Sequence, residues 1–313
     1  MKIKNVCIFG GSGFVGQHVA HMLAAQGVSL RIPTRRRERA KSLLVLPTVD
    51  VIETNIHDSK ELDRLLVGID AVINLVGILD GDFTSAHIEL PKKIVAACKR
   101  NGAARLLHIS ALNANINGTS AYLRSKGEGE RVIIESNLET TIFRPSVIFG
   151  PGDSFLNLFA NLARRLPIML LASPNSKFQP VFVENVVKVI VESLSTPTTF
   201  GQSYDLCGPK IYSLRQLVEY VSTITKHKLS IIGLNDWLSN VQATLLEFLP
   251  GKLMTRDNYL SMKTDSICDC NSESDFTAVF GVHPTELEEV APLYLAHDTP
   301  RERYSGFRDR AGR

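Results

Sequence analysis

The chain has 313 residues, 44% of them hydrophobic and 21% charged, with a formal net charge of +3 and a mean hydropathy near zero. That balance fits a soluble protein of one large domain with a small appendage, gives no ground for a nucleic-acid partner, and leaves no apolar stretch near the ~18 residues a membrane-spanning helix needs. The five cysteines, Cys7, Cys98, Cys207, Cys268 and Cys270, are odd in number and scattered, and Cys268-x-Cys270 lacks the spacing of zinc or thioredoxin-like sites, so reduced thiols, no metal and a cytoplasmic location are expected.

Lys2 and Lys4 precede Val6-Cys7-Ile8-Phe9. A secretory signal begins in the same way, but glycines interrupt the apolar run and it reads as a first strand, Val6–Phe9. Between this strand and a helix over Gly16–Gln26 stands Gly10-Gly11-Ser12-Gly13-Phe14-Val15-Gly16. The spacing Gly10-x-x-Gly13-x-x-Gly16 turns the chain tightly and brings backbone close to a pyrophosphate, an approach only glycine permits. The helix opening at Phe14 and Val15 offers free N–H groups and its positive dipole end, with the Ser12 hydroxyl beside them. These seven residues are the expected dinucleotide loop.

A second strand, Ser29–Pro33, leads into Thr34-Arg35-Arg36-Arg37. About 20 residues past the glycines an NAD site carries Asp or Glu for the ribose 2′-hydroxyl. Arg35 and Arg36 can instead clasp a 2′-phosphate with paired hydrogen bonds, so NADP(H) is expected over NAD(H). The other reading of Arg35 to Lys41 is a solvated helix face. After a third strand, Asp50–Glu53, Asp58 is placed either to accept from the adenine amino group or to cap a helix starting near Ser59. A fourth strand, Ala71–Val76, puts Leu75, Val76 and Gly77 where backbone can lie against the adenosine ribose.

Helices over Ile88–Asn101 and Ala121–Ser136 and strands over Leu106–Ile109, Thr141–Phe143 and Pro180–Val183 continue the alternation. The pattern predicts the α/β class: a Rossmann-type doubly wound parallel sheet over residues 1–200, with elements interleaving after 150. A smaller C-terminal α/β lobe is expected over 201–295, from strands Tyr204–Cys207 and Leu229–Ile232 and helices Leu214–Lys226 and Trp237–Leu249. Pro167–Ala172 reads as a short loop-like run. Leu245-Leu246-Glu247-Phe248-Leu249 is either a core helix segment or a contact face for a partner. Residues 296–313, rich in arginine, read as a flexible basic tail.

Ligands in such sheets sit at the carboxyl ends of strands, so chemistry is sought after strand five, His108-Ile109-Ser110-Ala111. Tyr122 and Lys126, at i and i+4, share one helix face there. The ammonium can hold the ribose and lower the phenol below its ordinary pKa of about 10, making Tyr122 an acid or base beside a nicotinamide. Tyr259 and Lys263 repeat the spacing outside the sheet-helix alternation and read as accidental.

The glycine loop, the Tyr122/Lys126 pair, Phe143-Arg144-Pro145-Ser146-Val147-Ile148-Phe149-Gly150-Pro151 and Val181-Phe182-Val183-Glu184-Asn185-Val186 together resemble the extended short-chain dehydrogenase/reductase family of epimerases, dehydratases and reductases, over nearly the whole chain. The resemblance adds Pro145 to the coenzyme contacts. Ile109-Ser110-Ala111-Leu112-Asn113-Ala114, Ser120-Ala121-Tyr122-Leu123-Arg124-Ser125-Lys126-Gly127-Glu128 and Tyr204-Asp205-Leu206-Cys207-Gly208-Pro209 are similar to a divergent branch containing the nucleotide-binding accessory subunit of respiratory complex I and its bacterial relatives. It implies an NADPH held for structure or regulation, with a quinone-linked respiratory complex or another protein as partner, and peripheral association with an inner membrane through that partner.

One position departs from the active members, whose tyrosine takes its hydroxyl partner from the residue after the strand-five serine. Here that residue is Ala111, and Ser110 replaces it only if it turns inward. Two readings stay open. One is a coenzyme-holding accessory module. The other is an NADP-dependent epimerase, dehydratase or reductase with Tyr122, Lys126 and Ser110 as catalytic residues and a substrate near Arg144, Asn157 or Gln179, unless Arg144 only braces the fold.

Overall fold

The computed structural model describes residues 3–248, 254–269 and 276–296, without the side chain of Arg39. They form two units, one of residues 3–146, 183–207, 268–269 and 276–283, the other of 147–182, 208–248, 254–267 and 284–296. The chain therefore passes between them several times; the sequence pattern placed an approximate boundary at 200, with elements interleaving after 150.

The first unit is built on β1 (Asn5–Phe9), β2 (Ser29–Thr34), β3 (Val49–Glu53), β4 (Ala71–Asn74), β5 (Arg105–Ile109) and β6 (Glu139–Pro145), with helices α1 (Phe14–Ala25), α2 (Ser59–Leu66), α3 (Leu90–Asn101) and α4 (Ala121–Ile134). Strand Gln202–Leu206 completes a seven-stranded sheet in the order Gln202–Leu206, β6, β5, β4, β1, β2, β3, every pair parallel. The sequence order reverses on either side of β1, and the carboxyl ends at that switch are where a parallel sheet opens a ligand crevice. Register brings Phe9 beside Asn74 and Asn74 beside His108. On one side of the sheet Phe9, Val72 and Leu106 pack with Leu62 and Leu66 of α2, Leu90 and Ile94 of α3 and Ile133 of α4. Burial on both faces explains the unbroken apolar runs of β1 and β4.

Three expectations need correction. Pro180–Val183 is not the seventh strand: Val181–Phe182 pairs only with Ile148–Phe149, and helix Val183–Ser193 begins at once. The seventh strand is Gln202–Leu206, assigned from sequence to the small lobe. Buried Arg105 anchors this edge by donating to the Thr141 hydroxyl at 2.6 Å, the Ser193 carbonyl at 2.8 Å and the Thr199 hydroxyl at 3.1 Å. Pro167–Ala172 is no loop, since Ile168–Leu171 is a strand parallel to Ser230–Gly233. The cysteines are not all reduced: Cys207 and Cys268 form a disulfide with Cα atoms 6.1 Å apart, whereas Cys7 and Cys98 are free and buried, burial pushing the Cys98 thiol up to about 12. Cys270, Leu249 and the basic tail lie outside the described residues.

The second unit has its own core, with Phe149, Leu156, Phe178, Leu217, Val221 and Leu295 among its buried members. Helices Phe155–Arg165, Leu214–Ile224, Asp236–Glu247, Arg256–Ser261 and Leu287–Leu295 surround three two-stranded pairs. The Ser213 and Gln216 side chains and backbones bond reciprocally to start Leu214–Ile224, a capping box that fixes the helix where its apolar face begins. Tyr259 and Lys263 belong to this unit. The Tyr259 hydroxyl donates to the Asp236 carbonyl at 3.0 Å and the Lys263 ammonium lies 5.1 Å from the Tyr259 ring centre, so that pair is packing.

Candidate coenzyme site

The glycine loop wraps the first turn of α1. Gly10 has φ +79°, and a Cβ there would meet the Leu75 carbonyl at 3.0 Å. A Cβ on Gly16 would overlap the Gly10 carbonyl oxygen and the Gly11 backbone. These two glycines let the strand-to-helix turn close while the segment after β4 packs on it, Leu75 N–H donating to the Phe9 carbonyl at 2.9 Å. Gly13 caps α1 without a side-chain acceptor, and no acid stands in its first turn. The amides of Phe14 and Val15 are thus left for an anion, in a cradle that a Cβ would fill.

The Ser12 hydroxyl lies 3.5 Å from that of Thr34, which joins the phosphate loop to the end of β2. The Thr34 hydroxyl donates to the Arg36 carbonyl at 3.2 Å, setting a tight turn from which Arg35 and Arg36 are exposed. The Glu53 carboxylate at the end of β3 accepts the Arg37 N–H at 3.0 Å. Asp58 accepts the Lys60 N–H at 2.9 Å and caps α2, realising the capping alternative at that residue.

At the other end of the crevice α4 carries Tyr122 and Lys126. Ser120 caps the helix by accepting the Leu123 N–H at 3.1 Å. Two glycines inside α4 let neighbours approach: a Cβ on Gly127 would strike Asn115 and Ile116 at 2.5 to 2.6 Å, and one on Gly129 would overlap the His87 carbonyl. The Lys126 ammonium is buried, donates to the Ile109 carbonyl at 3.2 Å, and would stand 3.3 Å from a Cβ on Gly77. Gly77 therefore leaves room for the lysine as much as for a ribose. Burial lowers the Lys126 pKa to about 8, with Glu130 opposing. Glu130 in turn holds Arg144 of β6 through Nε at 2.9 Å and Nη2 at 2.5 Å, which makes Arg144 a brace.

Tyr122 sits against Phe83 and His87, ring centres 6.1 and 5.7 Å away. Burial pushes its phenol up to about 12, opposite to the lowering expected from Lys126. His87 is fixed as a neutral ring. Its Nε2 accepts the Ile78 N–H at 3.1 Å, so Nδ1 carries the proton and donates to the Ser125 hydroxyl at 2.8 Å, which donates to the Tyr122 carbonyl at 2.8 Å. Burial first, then the Lys126 charge, lowers His87 to about 3. Ser110 is 3% exposed and its hydroxyl has no hydrogen-bond partner among the described residues. Ala111 follows it, and the Pro145 carbonyl accepts the Leu112 N–H at 3.0 Å.

The structure thus gathers Gly10 to Gly16, Arg35, Arg36, Leu75, Val76, Gly77, Ser110, Tyr122, Lys126 and Pro145 in the first unit, at or just beyond the carboxyl ends of its strands. Asn157 and Gln179 fall in the second unit and are tied to backbone: Asn157 Nδ2 donates to the Asp153 carbonyl at 2.9 Å and Gln179 Nε2 to that of Gly208 at 2.7 Å. Phe83, His87 and Glu130 were missed by sequence reading. The only trace was the pair Gly127 and Gly129, since glycine inside a helix marks close approach.

Residues 10–152 match the NAD(P)H-binding family, and residues 112–208 match the 3-beta hydroxysteroid dehydrogenase/isomerase family. The chain belongs to the NAD(P)-binding, epimerase/dehydratase-like short-chain dehydrogenase/reductase family. It is 33% identical over 228 residues to the mouse mitochondrial NADH dehydrogenase [ubiquinone] 1 alpha subcomplex subunit 9, an alignment covering 70% of this chain and 60% of that one. The chain therefore spans about 60% of that relative's length. It is 26% identical over 296 residues to the 40 kDa subunit of NADH-ubiquinone oxidoreductase of Neurospora crassa, covering 92% of this chain and 78% of that one. Ceramide reductase of Caulobacter vibrioides is 30% identical over 196 residues, 61% of each chain. The structure of a dTDP-glucose 4,6-dehydratase from Streptomyces venezuelae superposes with a TM-score of 0.74 at 15% identity over 97% of both chains, a likeness of fold.

Proposed function

We propose that this protein holds NADPH as a resident, structural or regulatory coenzyme and serves as an accessory or assembly part of a quinone-linked respiratory complex. The observation that carries this reading is the disarmed acid/base end. Ala111 stands where a hydroxyl would support Tyr122, the neighbouring Ser110 hydroxyl is buried without a partner, and the phenol is pushed up to about 12. Loss of one such donor costs on the order of 10²- to 10³-fold in rate elsewhere, while coenzyme binding through the glycine loop is untouched. Arg35 and Arg36, exposed beyond β2, support NADPH over NADH, and the mitochondrial relatives support the partner. Among the described residues no helix is long and apolar enough to cross a membrane; on this reading the protein associates through its partner, at the membrane periphery and from the cytoplasm.

The test is a titration of the purified protein with NADPH and NADH, including dissociation rates, on wild type, Gly13→Val and Tyr122→Phe. Tight NADPH binding released over many minutes, a cellular phenotype lost in Gly13→Val, and a Tyr122→Phe variant indistinguishable from wild type are expected. Loss of phenotype in Tyr122→Phe with coenzyme affinity intact overturns the reading in favour of an NADP-dependent epimerase, dehydratase or reductase. The Tyr122 and Lys126 pair on one face of α4 and the likeness to a ceramide reductase favour that alternative.

A further inference from the structure

Helix Asp236–Glu247 packs the wrong way round for a soluble helix. Its fully buried residues are small, Ser239 and Ala243. Trp237 is 71% exposed, Leu245 64% and Phe248, at its carboxyl end, 84%, with Leu238 and Val241 also exposed. At ~100° per residue these five fall within about 100° of helix surface, opposite Ser239 and Ala243. The helix adjoins strand Ile168–Leu171, Gln242 Nε2 donating to the Leu170 carbonyl at 2.8 Å. That strand exposes Ile168 and Leu170 while burying Met169 and Leu171, and Ile232, in register with Leu170, is exposed too. An exposed apolar patch of this extent marks something that covers it.

The charges around the patch say what. Exposed Arg165 and Leu166 lead into Ile168, and exposed Lys226 and Lys228 lead into Ser230, the residue in register with Ile168. The two lysines line an open hollow of about 390 Å³ with Ser222, Thr223, His227, Leu229 and Ser230. Neither 164–172 nor 225–235 contains an acid. The acids of the helix stand at its ends: Asp236, 3.6 Å from the Lys263 ammonium, and Glu247, which accepts the Arg256 N–H at 3.4 Å. An aliphatic stripe with Trp at one end and Phe at the other, polar but uncharged residues on the flanks and basic residues along the strand-pair side, with the exposed acid Asp236 confined to the helix start, matches the physics of a bilayer interface. A protein interface carries a rim of mixed polar groups around a shaped pocket.

We propose that this face of the second unit seats on an anionic phospholipid surface, Trp237, Leu245 and Phe248 entering the headgroup boundary while Arg165, Lys226 and Lys228 meet lipid phosphates. This makes membrane contact direct, where the function proposed above needs only a protein partner, and it does not depend on the coenzyme.

Trp237 is the single tryptophan of the chain, so its fluorescence reports the patch alone. The full chain is mixed with phosphatidylcholine vesicles with and without phosphatidylglycerol. A blue shift of emission and protection from acrylamide on the anionic vesicles are expected, with weaker partition onto the neutral ones. Leu245→Ser with Phe248→Ser lowers the partition coefficient by more than about tenfold, and Lys226→Gln or Lys228→Gln by about fivefold each, with NADPH affinity unchanged in all of them. No shift with either vesicle overturns the proposal. So does a blue shift that grows with protein concentration in the absence of lipid, which assigns the face to a second copy of the chain.

Discussion

Helix α4 of the first unit buries a lysine and a glutamate, whereas helix Asp236–Glu247 of the second exposes a tryptophan, two leucines, a valine and, at its end, a phenylalanine. Both break the ordinary partition of side chains, in opposite senses. In α4 the breach is compensated unevenly. Glu130 has a bidentate guanidinium, but Lys126 has one backbone carbonyl at 3.2 Å beside the space over Gly77. A buried ammonium with donors to spare can serve ligand hydroxyls, the role the proposed function gives it, and its lowered pKa records the cost of burying it. In Asp236–Glu247 nothing compensates among the described residues, and the cost falls on the surface. Misplaced charge in the first unit is explained from inside the fold, while misplaced apolar surface in the second is explained only from outside.

The largest expected effect breaks the compensated pair. Glu130→Ala strands the Arg144 guanidinium beside α4 and should destabilise the protein by about 3 kcal/mol, as broken buried ion pairs do. Thermal unfolding reads this directly, and Glu130→Gln, which keeps an acceptor, should lose less. If Glu130→Ala unfolds like wild type, Arg144 is no brace, and its candidacy for substrate reopens.

Next comes Lys126, where removing the charge should relieve the fold. Its pKa falls from an ordinary 10.5 unfolded to about 8 folded, so between those values the unfolded chain binds more protons and stability rises with pH, by on the order of 3 kcal/mol across the window. Tyr122 works the other way. Its phenol, raised from 10 to about 12 in the folded state, makes stability fall as pH rises above 10, and the buried thiols of Cys7 and Cys98, both raised from 9.0, do so above pH 9, so the clean window is pH 8 to 9. Lys126→Met should flatten the rise there in urea titrations at stepped pH and weaken NADPH binding, whereas Tyr122→Phe should keep the rise and lessen the fall above pH 10, to which the other raised phenols and thiols also contribute. A rise that persists in Lys126→Met places the perturbed ammonium elsewhere.

The two regions also differ in how far sequence reaches. Gly10, Gly13 and Gly16 were legible because their spacing is dictated by contacts within one turn, and Tyr122 and Lys126 because helical periodicity puts them on one face. Asp58 stood between two roles until its bond to Lys60 made it a cap. What pairs across long separations left no local mark. His87 reaches Ser125 through a π-helical turn at Ser85–Glu89, Cys207 meets Cys268 from 61 residues away, and Gln202–Leu206 joins β6 although Pro180–Val183 looks the better strand. In Asp236–Glu247 the pattern left a core segment and a contact face as alternatives. An apolar stripe usually faces inward, but in the folded protein Ser239 and Ala243 take that place.

The smallest expected effect on stability is therefore the sharpest test of the contrast. Leu245→Ser removes an apolar side chain from a face that touches no protein among the described residues, so unfolding should move by no more than about 0.5 kcal/mol, the range of ordinary surface changes. The same substitution at a buried leucine such as Leu217, 0% exposed in the second unit's core, should cost several kcal/mol through the cavity and the stranded hydroxyl. If Leu245→Ser costs as much as Leu217→Ser in the same urea titration, the stripe is covered by the chain itself and is no surface. If instead it leaves stability alone and raises solubility, the leucine is held at that position for something the isolated fold does not contain.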